Sequence, residues 1–147
     1  MKRGVDHIGV TVCFYCYDDA GRLLLQKRSP HCRDEQGTWD CGGGAVEFGE
    51  SFEEAAIREI YEEYCCSPLK LTFCGVNNVL RTHNNQKTHW VCLVFAAHIN
   101  PKDVSIGDPK KIEDLKWFKT DYLPQPLHSM YLAHLALVKN QVASLQT

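Results

Sequence analysis

This chain of 147 residues lacks the features that would place it among membrane, secreted or nucleic-acid-binding proteins. No apolar run reaches the roughly 18–20 residues that cross a bilayer, and a polar break at residues 1–7 precedes any leader-like apolar segment. We therefore expect no membrane association, no signal peptide and a cytoplasmic location. The 16 basic and 18 acidic residues leave no basic excess, which argues against a polymeric nucleic acid as partner.

The sequence also lacks internal repeats, low-complexity stretches and linkers rich in Pro or Ser. Its length is typical of one domain, and its 44% apolar and 23% charged fractions are those of a globular protein. We predict a single domain over residues 1–147.

The net charge of −2 is unevenly distributed along the chain. Residues 47–63 contain seven Glu and one basic residue, Arg58, so this segment carries −6 and the remainder +4. Apolar residues are interleaved with the glutamates, which indicates a packed amphipathic helix rather than a disordered acidic tract. Because clustered carboxylates repel one another, the segment predicts a cation site, and the positive remainder suits a small phosphorylated ligand.

The eight cysteines do not predict a disulfide framework. Several lie in apolar runs, where a free cysteine acts as a small hydrophobic residue, and thiols in the cytoplasm stay reduced. Cys13 and Cys16 form a CxxC pair, but a structural zinc site needs a second pair at ligand spacing. We expect reduced thiols, and a cysteine-based metal or redox protein is the third functional hypothesis.

Apolar and β-branched runs predict a mixed sheet with helices on its faces, an α/β architecture. The predicted strands cover residues 7–17, 22–28, 69–80, 89–99 and 111–119, with 81–88 as a polar loop. Gly42, Gly43 and Gly44 are predicted as irregular backbone, and a second helix is expected from about residue 127 to 142.

The first helix is predicted to begin at Ser51, because Ser51 and Glu54 have the spacing of a capping box. Its predicted buried stripe consists of Phe52, Ala55, Ala56, Ile60 and Tyr64. Glu59, Glu62 and Glu63 lie three and four residues apart and therefore share one face of this helix. Such hard oxygen ligands suit Mg²⁺ or Mn²⁺, which also bind substrate phosphates.

The spacing of these residues resembles the box of the Nudix hydrolases, G-x5-E-x7-R-E-U-x-E-E-x-G-U. Seven of its nine defined positions agree, and the matching residues are Gly44, Glu50, Arg58, Glu59, Ile60, Glu62 and Glu63. Flanking segments are also similar to MutT-like members, so the resemblance covers most of the chain. It implies a Nudix-type α/β/α sandwich with a central mixed sheet.

Two departures from the family pattern concern backbone conformation. Cys65 replaces the box glycine, which would be the left-handed residue that ends the helix. Either a side chain in that conformation costs about 1–2 kcal/mol, or the helix ends by another geometry. Gly42 stands where a proline often precedes the paired glycines, which predicts a looser loop.

The resemblance implies a metal-dependent hydrolase that cleaves the diphosphate linkage of a nucleoside diphosphate derivative. The carboxylates of Glu59, Glu62 and Glu63 and the carbonyl of Gly43 would bind Mg²⁺ or Mn²⁺, and Arg58 would orient the glutamates. Glu63 is the first choice for the general base. The second choice is Glu113.

Several further residues are candidates for contacts with substrate. Glu50 is expected to support the metal site, and Glu47 lies in the same loop. Lys27 and Arg28, at the end of a strand, are candidates for phosphate binding, although a solvated strand end is an equal alternative. Asn77 is a candidate for reading a base edge, or it marks a bulge.

The substrate is predicted by elimination, because the family's downstream markers for ADP-ribose and dinucleoside polyphosphate enzymes are missing. A (deoxy)nucleoside triphosphate or an oxidised nucleotide is the leading prediction, and ADP-ribose, a nucleotide sugar or coenzyme A is the alternative. A Nudix module that senses a nucleotide without cleaving it is the alternative from another class. A homodimer is a further possibility.

Overall fold

The computed structural model describes residues 1–146, which form a seven-stranded mixed sheet and two α-helices. The strands are β1 (Gly9–Tyr17), β2 (Leu23–Arg28), β3 (Trp39–Asp40), β4 (Gly42–Ala45), β5 (Lys70–His83), β6 (Gln86–His98) and β7 (Ile112–Phe118). The helices are α1 (Phe52–Tyr64) and α2 (Tyr131–Gln141). Neither these helices nor the short 3₁₀ turns within residues 1–146 are long and apolar enough to cross a bilayer.

The sheet is mixed because β1 runs parallel to β6 while its other pairings are antiparallel. The strand order is β3-β2-β1-β6-β5, with β4 paired to β1 and β7 paired to β2. β1 therefore lies at the centre and contacts β4, which carries the glycines, on one side. This pairing brings the glycine run next to the middle of the sheet.

The two helices cover opposite faces of the sheet. α1 contributes Ala55, Ala56, Ile60 and Tyr64 to one buried cluster, and α2 contributes Tyr131, Leu135 and Val138 to the other. Alternate residues of β1 are divided between these clusters, as the period of a strand requires. The predicted sandwich with a central mixed sheet is confirmed.

Helix α1 begins and ends as its sequence predicts. The Ser51 hydroxyl accepts from the Glu54 amide, the Glu54 carboxylate accepts from the Ser51 amide, and the capping box is complete. Cys65 ends the helix in the left-handed conformation, with φ 60° and ψ 24°. The prediction that Phe52 belongs to the buried stripe was wrong. Its side chain is 46% exposed, because it lies in the first turn and the buried residues of the helix begin at Ala55.

The prediction of irregular backbone at residues 42–44 was wrong. Gly42, Gly43 and Gly44 form β4, which pairs antiparallel with β1. The close approach explains the glycines: a Cβ on Gly42 would overlap the Phe14 ring, and one on Gly43 would come 2.6 Å from the Val12 carbonyl oxygen. The run is therefore required by strand packing and does not form a loose loop.

Two other boundaries differ from the predictions. Residues 81–88 are not a loop but continue β5 and β6 as a long hairpin, which turns at Asn84 and Asn85 in left-handed conformations. The cross-strand ladder thus outweighs the polar composition of this segment. The last helix begins at Tyr131 rather than near residue 127, because the preceding residues bond to β3, where the His128 amide donates to the Trp39 carbonyl.

Candidate active site

The three predicted metal-binding glutamates project from one face of α1 to different depths. The side chain of Glu62 is 55% exposed, that of Glu59 is 14% exposed, and that of Glu63 is 2% exposed. This gradient follows from the helical spacing, which turns Glu63 toward the sheet and Glu62 toward solvent. The cluster therefore extends from solvent into the protein interior.

Arg58 holds this cluster together. Its guanidinium donates to both carboxylate oxygens of Glu50, with Nε–Oε2 at 2.9 Å and Nη2–Oε1 at 2.7 Å. Nη1 lies 2.8 Å from Glu59 Oε1 and 3.3 Å from Glu62 Oε2, and Nη2 donates to the Ala45 carbonyl. The hydrogen bond from Arg58 lowers the pKa of Glu50 to about 2. Arg58 thus fixes Glu59 and ties the loop after β4 to the helix.

The glycine strand β4 provides the wall on which Glu59 rests. A Cβ on Gly44 would overlap the Glu59 carboxylate, so only glycine allows this close approach. The Gly44 carbonyl accepts from the Thr11 hydroxyl at 2.8 Å, which anchors the strand to β1. The backbone of Gly43 and the carboxylate of Glu63 lie on either side of one cation, the ammonium of Lys111.

Sequence reasoning missed Lys111. Its Nζ donates to the Gly43 carbonyl at 2.8 Å and to Glu63 Oε2 at 3.1 Å. The residue precedes β7, and the sequence marks it only as the start of a predicted strand. Nothing in its local sequence indicates that it reaches the glutamate face of α1.

Burial dominates the electrostatics of Glu63. It raises the pKa of the Glu63 carboxyl to about 8; the Lys111 ammonium opposes this rise, and the nearby Glu59 carboxylate adds to it. The pKa of Lys111 is raised as well, because its contact with Glu63 outweighs its own burial. The charged form of the Glu63 carboxyl is therefore disfavoured even with the Lys111 ammonium beside it.

The residues fit a hard divalent cation. The donor set consists of carboxylate and carbonyl oxygens, which are the ligands that Mg²⁺ and similar ions prefer. Within the described residues, Glu63 Oε1 is buried without a hydrogen-bond partner, and the Lys111 ammonium already stands between Gly43 and Glu63 as a cation would. Both observations indicate a position where positive charge is bound.

A cavity of about 340 Å³ opens next to β4. Its wall contains four basic side chains, Arg28, Arg33, Arg81 and Lys111, together with the carboxylates of Asp34 and Asp40. Arg28 is paired with Asp34 at 2.9 Å, and Arg81 is paired with Asp34 at 3.3 Å. A second part of the wall contains Trp90 and His134. The cavity thus combines cationic groups with rings that can contact a base.

The structure brings some of the predicted substrate-binding and catalytic residues to this cavity and not others. Arg28 lines it, whereas Lys27 and Glu113 are absent from its wall within residues 1–146 and form an exposed ion pair with each other at 3.4 Å. Glu47 is turned toward Arg3 at 3.2 Å. Asn77 lies on β5 and contacts His134, with Asn77 Nδ2 and His134 Nε2 3.0 Å apart.

Comparison with known proteins identifies a family and several curated relatives. Residues 7–139 match the NUDIX domain family. The NAD-capped RNA hydrolase NudC of Edwardsiella ictaluri is 36% identical over 98 residues, covering 65% of this chain and 34% of that protein. The 8-oxo-dGDP phosphatase NUDT18 of Mus musculus is 26% identical over 139 residues, covering 92% of this chain and 39% of that protein. The chain therefore spans between a third and two fifths of these curated relatives.

The fold of this chain matches one solved structure over nearly the whole length of both chains. The MutT NUDIX hydrolase of Burkholderia pseudomallei superposes with a TM-score of 0.79 at 33% identity, covering 90% of this chain and 99% of that one. The fold described above therefore has a known counterpart.

Proposed function

This chain belongs to the Nudix hydrolase family, and we propose that it is a metal-dependent hydrolase that cleaves the diphosphate linkage of a nucleoside diphosphate derivative. One observation carries the proposal. The carboxylates of Glu59 and Glu63 lie behind Gly43, Gly44 and Lys111, which line a cavity whose wall also contains Arg28, Arg33 and Arg81. A polyphosphate placed in this cavity would lie between the basic groups and the glutamate cluster.

Nudix hydrolases use divalent cations, and in this chain Glu59, Glu62, Glu63 and the Gly43 carbonyl would hold Mg²⁺ or Mn²⁺. A divalent ion bound there supplies charge neutralisation at the phosphates and a bound water of lowered pKa. The fit of the site rests on its hard oxygen donors and on the unpartnered Oε1 of Glu63.

The other residues would act as positioning groups. Arg58 would hold Glu59 and Glu62 in place through its forked contact with Glu50. Arg28 would face the phosphates from the cavity wall. Glu63 is the first candidate for the general base, because its carboxylate and the Gly43 carbonyl contact the same ammonium, that of Lys111. Glu113, the second candidate, pairs with Lys27 outside the cavity wall.

For the substrate we propose a (deoxy)nucleoside triphosphate or an oxidised nucleotide. The cavity volume of about 340 Å³ is near the lower end of the range of about 300–1,000 Å³ for small-molecule pockets, which favours one nucleoside over two. The name of the Mus musculus relative, 8-oxo-dGDP phosphatase, supports an oxidised nucleotide. The name of the Edwardsiella relative supports an NAD-like substrate as a second candidate. ADP-ribose, nucleotide sugars and coenzyme A are the remaining alternatives.

A nucleotide-sensing module without catalysis is the candidate from another class. It is disfavoured because Arg58 and the three box glutamates are present, and Arg58 contacts Glu59 and Glu62 directly. A sensor has no need of this arrangement.

A substrate panel with product identification by mass spectrometry tests the proposal. The panel contains canonical and oxidised nucleoside di- and triphosphates, NAD, ADP-ribose, a nucleotide sugar, a dinucleoside polyphosphate and coenzyme A, each with Mg²⁺, with Mn²⁺ and with excess chelator. Cleavage at a diphosphate linkage that chelator abolishes is the expected result. Nucleotide binding without cleavage of any compound would instead support the sensor.

A further inference from the structure

Three buried side chains outside the carboxylate centre form a second cluster with metal-binding atoms. Cys13 of β1, Cys92 of β6 and His134 of α2 place their ligand atoms within 4.8 Å of one another. Cys13 Sγ and His134 Nδ1 are 3.8 Å apart. All three side chains are at most 8% exposed, and we call them, together with Cys41, the thiol cluster.

Strand geometry explains why these cysteines meet. Thr11 of β1 lies opposite Cys92 of β6 in the parallel pair, so Cys13 and Cys92 are diagonal neighbours on the same face. Cys16 belongs to the opposite face and to the other buried cluster. The CxxC pair therefore cannot bind one ion, and the ligand set is assembled from distant parts of the chain.

Cys41 adds a third thiol. It precedes β4, is 7% exposed, and lines the same cavity as Cys13, Cys92 and His134. Contacts with Cys41 and Cys92, together with burial, raise the pKa of the Cys13 thiol well above its ordinary value.

The distances suit a tetrahedral ion of borderline softness. Zn²⁺ binds thiolate sulfur at about 2.3 Å and imidazole nitrogen at about 2.0–2.1 Å, which places two such ligand atoms about 3.6 Å apart. The Cys13–His134 separation of 3.8 Å already approaches this value. Three thiols and one imidazole form a ligand set typical of zinc, and they offer no hard oxygen to Mg²⁺.

The outer nitrogen of the His134 imidazole has a side-chain partner, at the position where metal-binding histidines usually make an orienting hydrogen bond. Its Nε2 contacts the side-chain amide of Asn77, and its Nδ1 faces Cys13. The structure places Asn77 Nδ2 at this nitrogen, and a 180° turn of the amide would bring its oxygen to Nε2–H and leave the Nδ1 lone pair free for an ion. The cluster also lines the cavity, which gives an ion a path from solvent.

From this geometry we propose that Cys13, Cys92 and His134 form a zinc site at the floor of the cavity, distinct from the carboxylate centre, with Cys41 from the same cavity wall as the fourth ligand. The bound ion would link β1, β6, α2 and the start of β4. The site does not depend on the proposed hydrolase activity, and its test uses metal binding alone.

The experiment uses the whole chain, reduced, freed of metal and shown by mass spectrometry to have eight free thiols. With Mg²⁺ in excess to occupy the carboxylate centre, Zn²⁺ is titrated against a chromophoric chelator, and Co²⁺ is titrated as a spectroscopic probe. We expect one Zn²⁺ per chain, a rise in melting temperature, and the thiolate charge-transfer band of tetrahedral Co²⁺. No uptake, or Co²⁺ uptake without the thiolate band, would overturn the proposal.

Matched variants assign the ligands. Cys92→Ser is expected to lose the charge-transfer intensity of one thiolate and to bind Zn²⁺ at least about 10-fold more weakly, and Asn77→Ala is expected to lose roughly 10–100-fold in affinity. Cys74→Ser is the control, because Cys74 is a buried strand cysteine whose thiol donates to the Thr72 carbonyl instead. Each variant is checked for a native far-ultraviolet circular dichroism spectrum. Equal Zn²⁺ affinity in Cys92→Ser and Cys74→Ser would contradict the ligand assignment. If Cys92→Ser does not fold, the thiolate band in the cobalt spectrum of the unmutated chain is the test.

Discussion

The ammonium of Lys111 bridges the Gly43 carbonyl and the Glu63 carboxylate, with Nζ 2.8 Å from the carbonyl oxygen and 3.1 Å from Oε2. These two oxygens belong to the ligand set that we propose for a divalent cation. The Lys111 ammonium therefore occupies the position where a metal ion is expected to bind. Metal binding and the Lys111 contacts compete for the same oxygens.

Replacing Lys111 with Met is expected to tighten the binding of Mn²⁺ in the absence of substrate. Charge-assisted hydrogen bonds contribute about 1.5–3 kcal/mol each, so removal of the competing ammonium corresponds to an increase in affinity of roughly 10-fold or more. Electron paramagnetic resonance of free Mn²⁺ measures the change. Lys110→Met is the control, since it removes the neighbouring lysine, whose side chain is exposed. Weaker binding in Lys111→Met would show that Lys111 supports the metal site rather than competing for it.

Replacing Glu63 with Gln is expected to lower kcat by about 10²–10⁴-fold, the usual contribution of a general acid or base. The variant keeps the shape of the side chain, and circular dichroism should report a native fold. The matched control is Glu53→Gln, which removes an exposed carboxylate from the first turn of the same helix. A kcat within a factor of two of the unmutated chain would exclude Glu63 as base and as metal ligand.

Glu63 also predicts a pH dependence of the metal-free protein. Its pKa is raised from 4.5 to about 8 by burial, so between these values the folded chain holds a proton that the unfolded chain has lost. The contribution of Glu63 to the free energy of unfolding therefore falls as the pH rises through this window. It is lost above the pKa of the folded state.

Urea unfolding of chelator-treated protein between pH 5 and pH 8 measures this dependence. The unmutated chain is expected to lose more stability over the range than Glu63→Gln, and saturating Mg²⁺ should reduce the difference, because a bound cation offsets the buried negative charge. The comparison with Glu63→Gln cancels the titration of the histidines and other groups. Parallel pH profiles for the two proteins would count against a raised Glu63 pKa.

Local spacing was sufficient to predict the glutamate face and both ends of α1. Helical periodicity places Glu59, Glu62 and Glu63 together whatever the rest of the fold does, and the capping box acts over only four residues. Five of the seven strands, β1, β2, β5, β6 and β7, were also predicted, because their apolar runs are long. These features depend on residues that are neighbours in the sequence.

Features that depend on strand register could not be predicted in this way. Lys111 and Glu63 are 48 positions apart and meet only because β7 pairs with β2. The glycine strand looked like a loop, since glycine carries no strand propensity and its close approach to β1 is a tertiary effect. The thiol cluster likewise needs the parallel pairing of β1 with β6.

Cys65 predicts a stabilising substitution. It holds φ 60° at the end of α1, a conformation that costs a residue with a Cβ about 1–2 kcal/mol and costs glycine little. Cys65→Gly is therefore expected to raise the melting temperature by a few degrees in differential scanning calorimetry. Cys65→Ala keeps the Cβ and is the control for loss of the thiol. A melting temperature for Cys65→Gly at or below that of Cys65→Ala would contradict strain at this cap.

Arg58 is expected to be poorly replaced by Lys, although the charge is kept. The guanidinium contacts both oxygens of Glu50 while another nitrogen holds Glu59, and one ammonium cannot reproduce this fork. We expect kcat to fall roughly 10-fold or more, because losing one charge-assisted hydrogen bond of about 1.5–3 kcal/mol leaves Glu59 free to move.

The matched control for Arg58→Lys is Arg22→Lys, which alters an arginine paired with the buried Asp18 at the far end of β2. Steady-state kinetics with varied Mg²⁺ separates the two possible roles of Arg58. A positioning role lowers kcat and raises the Mg²⁺ concentration needed for half-maximal rate, because Glu59 is a proposed metal ligand. A purely structural role would lower the melting temperature and leave both kinetic quantities unchanged at temperatures where the variant is folded.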